Sequence, residues 1–493
     1  MLKKLLWVIL AVFVIFLLII SVNTLMLTSE KETVVAVKPI HIDKEAAVLR
    51  LSKSVQIRTI SHQDHSKFNP APFVWFHQFL KQSFPGLHHT LERTVINEHS
   101  LLYKWQGSNS DLKPMALLAH MDVVPVEPGT ENNWTHGAFS GDIADGYAWG
   151  RGMLDMKGIL MAIMEAVEEL VKLGFVPKRT IYLAFGHDEE LGGRNGAREI
   201  ATYMKEKGIR LSFTLDEAMA IASQEISPVK RPLAIIGLAE KGRLTLKITA
   251  RTKGGHSSMP PAKTTLGILA RAIYRLEQNQ MPASLDGPTG MLYDTIVPEM
   301  SWVRKVLLAN QWAFKGLLLG QLRKSTYANA GIRTTTAPTM IRGGVKENVL
   351  PSQAHVIVNF RLKPGDKVSD VVAHAKKTID DPAIEITISG RGGTEASPVS
   401  SIDDPAYKIV KRTISEIFPG TLVAPGLVYG GTDSKHYVSI SDNNYRFAPM
   451  IIGPSDQGRI HGTDERLGIG NYEKMIQYYA QLLKNVAGSN EEN

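Results

Sequence analysis

The sequence predicts an α/β fold: a doubly wound larger domain carrying an inserted α+β domain, with one apolar N-terminal helix in front. Three observations carry that prediction. From about residue 45 to 245, strand-like apolar runs alternate with helical patterns, which is how a helix-layered βαβ sheet reads in sequence. Near Leu244 the texture changes to LTLKITA, and short strands and helices follow to about residue 393 before the α/β pattern returns. Ahead of both, residues 5–27 carry no charge and only Ser21, Asn23 and Thr24 as polar side chains.

The N-terminal run comes first. At about 1.5 Å per residue, a helix over 5–27 is long enough to cross a hydrocarbon core of about 30 Å. A cleaved signal peptide usually has an apolar region of about 7–15 residues ending in an A-x-A-like site, and none is found here. The run is therefore expected to be an uncleaved, single-pass transmembrane anchor. Lys3 and Lys4 flank its N-terminal side, so the positive-inside rule puts the rest of the chain on the non-cytoplasmic side. Asn133-Trp134-Thr135 is a formal glycosylation acceptor, too short a pattern to fix the compartment.

The first segment of the larger domain is expected over 45–243. Residues 114–119 (PMALLA) and 180–185 (TIYLAF) read as buried strands, with 211–215 as a shorter one. Between the first two, Ile159, Leu160, Ile163, Met164, Val167, Leu170 and Val171 fall at helical spacing over 156–173, and Gly174 is a natural stop. The inserted domain is expected over 244–393, with helices at 264–278 and 367–379 and strands at 338–342, 354–361 and 384–389. Within its long 282–333 stretch, residues 303–324 have the spacing of an amphipathic helix. Such a helix can line an acyl-chain groove or touch a membrane surface, but most simply pack on their own domain, and that is the expectation here. The second segment of the larger domain is expected over 394–487.

Composition narrows the chemistry. The 493 residues include 56 Lys+Arg and 48 Asp+Glu, a net charge of +8 without long basic blocks, so no nucleic-acid partner is implied. There is no Cys, which excludes disulfides, thiolate zinc sites and a cysteine nucleophile. Any metal must be held by His, Asp and Glu.

Five segments supply those residues: AHMDVVP (119–125), GRGMLDMKG (150–158), GHDEELGG (186–193), FTLDEA (213–218) and RIHGTDER (459–466). Three of them follow directly on strand-like runs, and in open α/β sheets ligands collect beyond the carboxyl ends of strands. Imidazole and carboxylate suit a divalent cation such as zinc. Two cations about 3.5–4 Å apart need a shared carboxylate, a position Asp155 can fill. Asp122, two residues after His120, is placed to fix its tautomer. The adjacent Glu189 and Glu190 can divide two tasks, one binding metal while the other takes a proton from an activated water.

These motifs, in this order and around an inserted domain, resemble the di-zinc metallopeptidase family of carboxypeptidase S, glutamate carboxypeptidase, aminoacylase and succinyl-diaminopimelate desuccinylase. GHDEELGG and GGTDSKHY (430–437) particularly resemble the branch holding carboxypeptidase S and secreted N-acyl-amino-acid hydrolases. The likeness runs over nearly all of the chain from about residue 45. It implies two zinc ions per subunit, one held by His120, Asp155 and Asp216 and the other by Asp155, Glu190 and His461. It further implies Glu189 as general base, Asp122 as the residue orienting His120, and a cis Asp155–Met156 peptide. The inserted domain is implied to act as a lid and homodimer surface, with His256 stabilising the oxyanion and Asn348 and Arg361 gripping the substrate carboxylate. Ala218 departs from the Gly common after LDE in the most similar branch.

The expected function is a membrane-anchored, zinc-dependent exopeptidase of the carboxypeptidase S kind, acting on a peptide beside an amino acid with a free carboxylate. An N-acyl amino acid as substrate is the alternative within the same chemistry. A tethered binding protein without catalysis is the alternative outside it, and the presence of every expected ligand and the base argues against it.

Overall fold

The computed structural model describes residues 1–28, 37–390 and 392–488. They fall into two compact units. The first element is helix α1 (Leu2–Met26), whose apolar residues are nearly all exposed and whose mean hydropathy reaches 3.3 over an 18-residue window.

One unit comprises Ser29–Leu238, Ser400–Gly426 and Thr432–Asn493. Its mixed sheet contains β1 (Glu92–Ile96), β2 (Ser100–Trp105), β3 (Met115–His120), β4 (Ile181–Gly186) and β5 (Leu211–Asp216), in the order β1-β2-β4-β3-β5. β1, β2 and β4 pair antiparallel, whereas β4, β3 and β5 run parallel, and the strand Ser441–Arg446 adds parallel to β5. Every residue of β3 and β4 is buried, as expected of strands covered on both faces. Helix α2 (Lys157–Lys172) makes the crossover from β3 to β4. It buries Ile159, Leu160, Ile163, Met164, Val167 and Leu170, so the helical spacing in the sequence is the packing face. Gly174 takes φ 70° just past its end, and Phe175 N–H closes the turn onto the Leu170 carbonyl.

The other unit comprises Met1–Thr28, Ala239–Val399 and Leu427–Gly431. Its four-stranded antiparallel sheet uses β6 (Gly242–Arg251), β7 (Thr335–Gly343), β8 (Gln353–Leu362) and β9 (Ile384–Ile388), in the order β7-β8-β6-β9. Alternation is strict along β8, where Ala354, Val356, Val358, Phe360 and Leu362 point to the core. Helix α3 (Thr265–Gln278) covers that face with Ile268, Leu269, Ala272 and Leu276, and a second helix, Val368–Ile379, adds Val371, Ala375 and Ile379.

The 303–324 stretch departs from the single helix expected of it. It forms α4 (Trp302–Ala309) and α5 (Gln311–Leu322), broken at Asn310, whose backbone stands at φ −121° and ψ 47°. The Asn310 side-chain Nδ2 donates to the Val306 carbonyl at 2.9 Å, taking the acceptor that a continuous helix gives to the backbone N–H.

Candidate metal centre

The parallel arrangement of β3, β4 and β5 brings their carboxyl ends side by side in one unit, and the expected ligands grow from those ends. His120 ends β3 opposite Gly186 of β4 and is buried. Its Nδ1 lies 2.9 Å from the Asp122 carbonyl and 3.4 Å from Asp122 Oδ1. Donation from Nδ1–H to Asp122 leaves the Nε2 lone pair free for a ligand role.

That nitrogen points at carboxylates. His120 Nε2 is 3.0 Å from Asp155 Oδ1 and 3.3 Å from Glu217 Oε1. The other oxygen of Asp155 stands 3.1 Å from His461 Nε2, which is also 3.3 Å from Glu190 Oε2. Asp155 thus lies between the two histidines, one oxygen on each. Ligand atoms at about 2.0–2.1 Å from a tetrahedral zinc stand about 3.3 Å from one another, so the observed spacings fit such a cation. One ligand atom each from His120, Asp155 and Glu190 fits within a 4.8 Å cluster, as does one each from His120, Glu189 and Glu217.

Electrostatics agree with the geometry. Burial raises the carboxyls of Glu189 and Asp433 well above the ordinary range, and neighbouring carboxylates add to it. Burial and the charge of Asp155 lift Glu217 to about 8. Burial opposes the charge on Asp155 as well, but His120 and His461 outweigh it and hold that carboxyl below the ordinary range. Hydrogen bonds to Asp155 and Glu190 push His461 up to about 10. Among the described residues, both oxygens of buried Asp433 and Oε1 of Glu190 have no hydrogen-bond partner. Buried carboxyl oxygens left without partners in so crowded an acidic cluster suit a bound cation, and the donor set of imidazole and carboxylate fits zinc.

The backbone around the ligands is held by a small number of charged groups. Asp122 accepts Glu189 N–H at 3.1 Å and Glu190 N–H at 3.2 Å, and its Oδ2 also accepts the Ser61 hydroxyl at 2.6 Å. Burial would raise Asp122, but His120 and these hydrogen bonds keep it lowered. Glu465 accepts Leu154 N–H at 2.8 Å and Asp155 N–H at 3.1 Å while pairing with Arg151 at 2.7 Å. Arg151 in turn donates to the His461 carbonyl at 3.1 Å, and His461 sits at φ 62°. The buried Arg151–Glu465 pair therefore ties Asp155 to His461. The Asp155–Met156 peptide is cis.

Two placements differ from the sequence expectation. The Asp216 carboxylate accepts Ser434 N–H at 2.7 Å and Glu217 N–H at 3.0 Å, whereas its neighbour Glu217 presents the oxygen beside His120. Sequence reasoning also left Asp433, Arg151 and Glu465 without roles, although all three stand inside the quoted motifs. A Cβ on Gly186 or Gly193 would collide with the Asp433 carboxylate, so glycine at those motif positions was the available signal. Ala218 adopts φ 104°, a conformation that favours glycine.

His256, Asn348 and Arg361 belong to the other unit. His256 is exposed, with Nδ1 2.7 Å from the Ser258 hydroxyl, and the Asn348 carbonyl accepts Ser257 N–H at 3.1 Å. Arg361 lies on β8 in register with Arg243 of β6.

Comparison with known proteins points the same way. Residues 116–485 match the profile described as Peptidase family M20/M25/M40. The chain is 39% identical over 480 residues to "Probable carboxypeptidase S-like 2" of Dictyostelium discoideum, covering 95% of this chain and 92% of the relative. It is 37% identical over 447 residues to "N-fatty-acyl-amino acid synthase/hydrolase PM20D1" of Xenopus tropicalis, covering 90% and 86%. In fold it is similar to the M20 family metallo-carboxypeptidase Sso-CP2 of Sulfolobus solfataricus, with a TM-score of 0.64 at 18% identity over 90% of this chain and 99% of that one. With a profile spanning most of its length and relatives this similar, the chain belongs to peptidase family M20/M25/M40.

Proposed function

We propose that the protein is a membrane-anchored, two-zinc amidohydrolase that releases an amino acid bearing a free carboxylate, in the manner of carboxypeptidase S. The observation that carries this reading is Asp155 standing between His120 and His461 with one oxygen toward each. His120, Asp155 and Glu217 would hold one ion, with Asp216 bracing that corner, and Asp155, Glu190 and His461 the other. Bound zinc supplies a Lewis acid that polarises the scissile carbonyl and makes hydroxide accessible near neutral pH.

The rest is done by the chain. Glu189, whose proton affinity is raised by burial, accepts the proton of the attacking water on its carboxylate and returns it to the leaving nitrogen. Asp122 holds the Glu189 backbone in place for that transfer. A carboxylate-binding role for Arg361 draws support from the cationic cluster in its own unit. There, burial first and then the charge of Arg361 lower Lys241 to about 7. A guanidinium matches a carboxylate with two parallel hydrogen bonds. His256 as oxyanion donor, Asn348 as a second substrate contact, and a lid and homodimer role for the inserted domain remain part of the proposal.

A second reading, hydrolysis of N-fatty-acyl amino acids, is favoured by the similarity to the Xenopus relative named above. Both readings use the same centre. A panel of blocked dipeptides and N-fatty-acyl amino acids separates them, since cleavage of the acyl series alone overturns the exopeptidase. In either case Glu189→Gln should keep near-normal metal content and lower turnover by about 10² or more. Unchanged turnover contradicts the assignment of the base.

The anchor draws support from the length and hydropathy of α1, and Lys3-Lys4 in its first turn favour a catalytic portion on the non-cytoplasmic side. Alkaline extraction tests it: release of the intact chain into the soluble fraction contradicts the anchor.

A further inference from the structure

The structure gives the polar residues of α1 a partner. Asn310, at the break between α4 and α5, is 0% exposed, and so is Thr24. Asn310 Nδ2 lies 3.2 Å from Thr24 Oγ1 and 3.3 Å from the Ile20 carbonyl, and its Oδ1 accepts Asn23 Nδ2 at 3.0 Å. Two of the three polar side chains of the 5–27 run are thus spent on one asparagine. In water these amides and hydroxyls have no need of each other. In hydrocarbon, where nothing else offers a hydrogen bond, they must be satisfied internally.

The contact continues deeper along α1. The rings of Phe16 and Trp312 meet edge to face at 5.6 Å. Phe16 lies eight residues before Thr24, about 12 Å along a helix axis at about 1.5 Å per residue. If α1 spans, Trp312 on α5 stands well inside the apolar layer.

The composition of the tip matches that depth. Residues 306–314, VLLANQWAF, carry no charge, while Arg304, Lys305 and Lys315 flank them and Arg323 and Lys324 close α5. Trp302, Val303, Trp312 and Leu317 remain exposed, Trp312 to 59%. Beneath the tip, Leu308 and Leu318 pack with Val297 and draw Leu27 of the anchor against them, so the tip is fixed to α1 rather than hanging free.

Resting on the reading of α1 as a membrane span, we infer that the α4–α5 tip is a second membrane-embedded element. It enters the hydrocarbon of the non-cytoplasmic leaflet beside α1 and is locked there by Asn310. Its partner is the acyl-chain layer of a bilayer. A corollary is that α1 is retained, because removing it would strip Asn310 of the Thr24, Asn23 and Ile20 contacts.

The absence of Cys in the chain makes the test direct. Trp312→Cys on the tip, Val12→Cys on α1 and Val345→Cys, a position 93% exposed in the same unit, are each labelled with a polarity-sensitive fluorophore. The full chain is then placed in phosphatidylcholine vesicles with and without spin-labelled lipid. Blue-shifted emission and lipid quenching at 312 and 12, several-fold stronger than at 345, are expected. Water-like emission at 312 with quenching at 12 overturns the embedded tip and leaves the anchor standing. Water-like emission at both overturns the anchor and the tip together. Ala313→Cys, exposed within the same uncharged run, carries the same test should the Trp312 variant fail to fold.

Discussion

The Asp122 carboxylate accepts the backbone N–H of Glu189 at 3.1 Å while its other oxygen accepts Glu190 N–H at 3.2 Å. One buried side chain therefore sets the position of both glutamates and, through the contact to His120, of the first histidine. Asp122→Asn keeps the shape but replaces an acceptor oxygen with a donor facing an N–H. Loss of such an outer partner typically costs about 10–100-fold in activity or metal affinity. Steady-state kinetics with metal analysis check this; full activity and full metal content would show that Asp122 positions nothing.

Glu217 and Asp216 should separate under substitution. Glu217 faces His120, so Glu217→Gln should lower the affinity of the His120 side for metal. Asp216→Asn should act mainly through the Ser434 and Glu217 backbone contacts, lowering stability more than metal affinity. Competitive chelator titration of the two variants, with thermal unfolding in parallel, reads both effects. The opposite ranking returns the ligand role to Asp216.

Acid should destabilise the fold through histidines kept neutral by burial. Burial lowers His77 from about 6.5 to about 4, opposed by the hydrogen bond between Nε2 and the His99 carbonyl at 2.8 Å. The folded form therefore binds fewer protons than the unfolded chain between these values. Stability is unaffected above about 6.5, falls as pH drops toward about 4, and carries the full penalty below it. For His77 that penalty is on the order of 3 kcal/mol. Denaturant midpoints from pH 7 to 4 should fall less steeply in His77→Gln than in the parent; parallel slopes would remove His77 from the account.

Where one physical pattern decides a structure, the sequence was enough. The alternation along β8 and the helical spacing of α2 translate directly into buried faces, because period fixes which side chains meet the core. The loops carrying the candidate ligands were legible because their residue types share one chemistry. The choice between Asp216 and Glu217 was not, since they adjoin each other at a strand end and residue type and spacing do not say which one faces His120. The break at Asn310 was hidden for a related reason: the side chains that stabilise it are Asn23 and Thr24, nearly 300 residues earlier. The Arg151–Glu465 pair links two motifs in the same long-range way, which periodicity cannot register.

The shared position of Asp155 is tested most directly by counting metal in purified protein. Elemental analysis should find two zinc ions per chain, about one in His461→Ala, and close to none in Asp155→Ala, which removes an oxygen from both ions. An Asp155→Ala variant that folds and retains both ions would contradict the account.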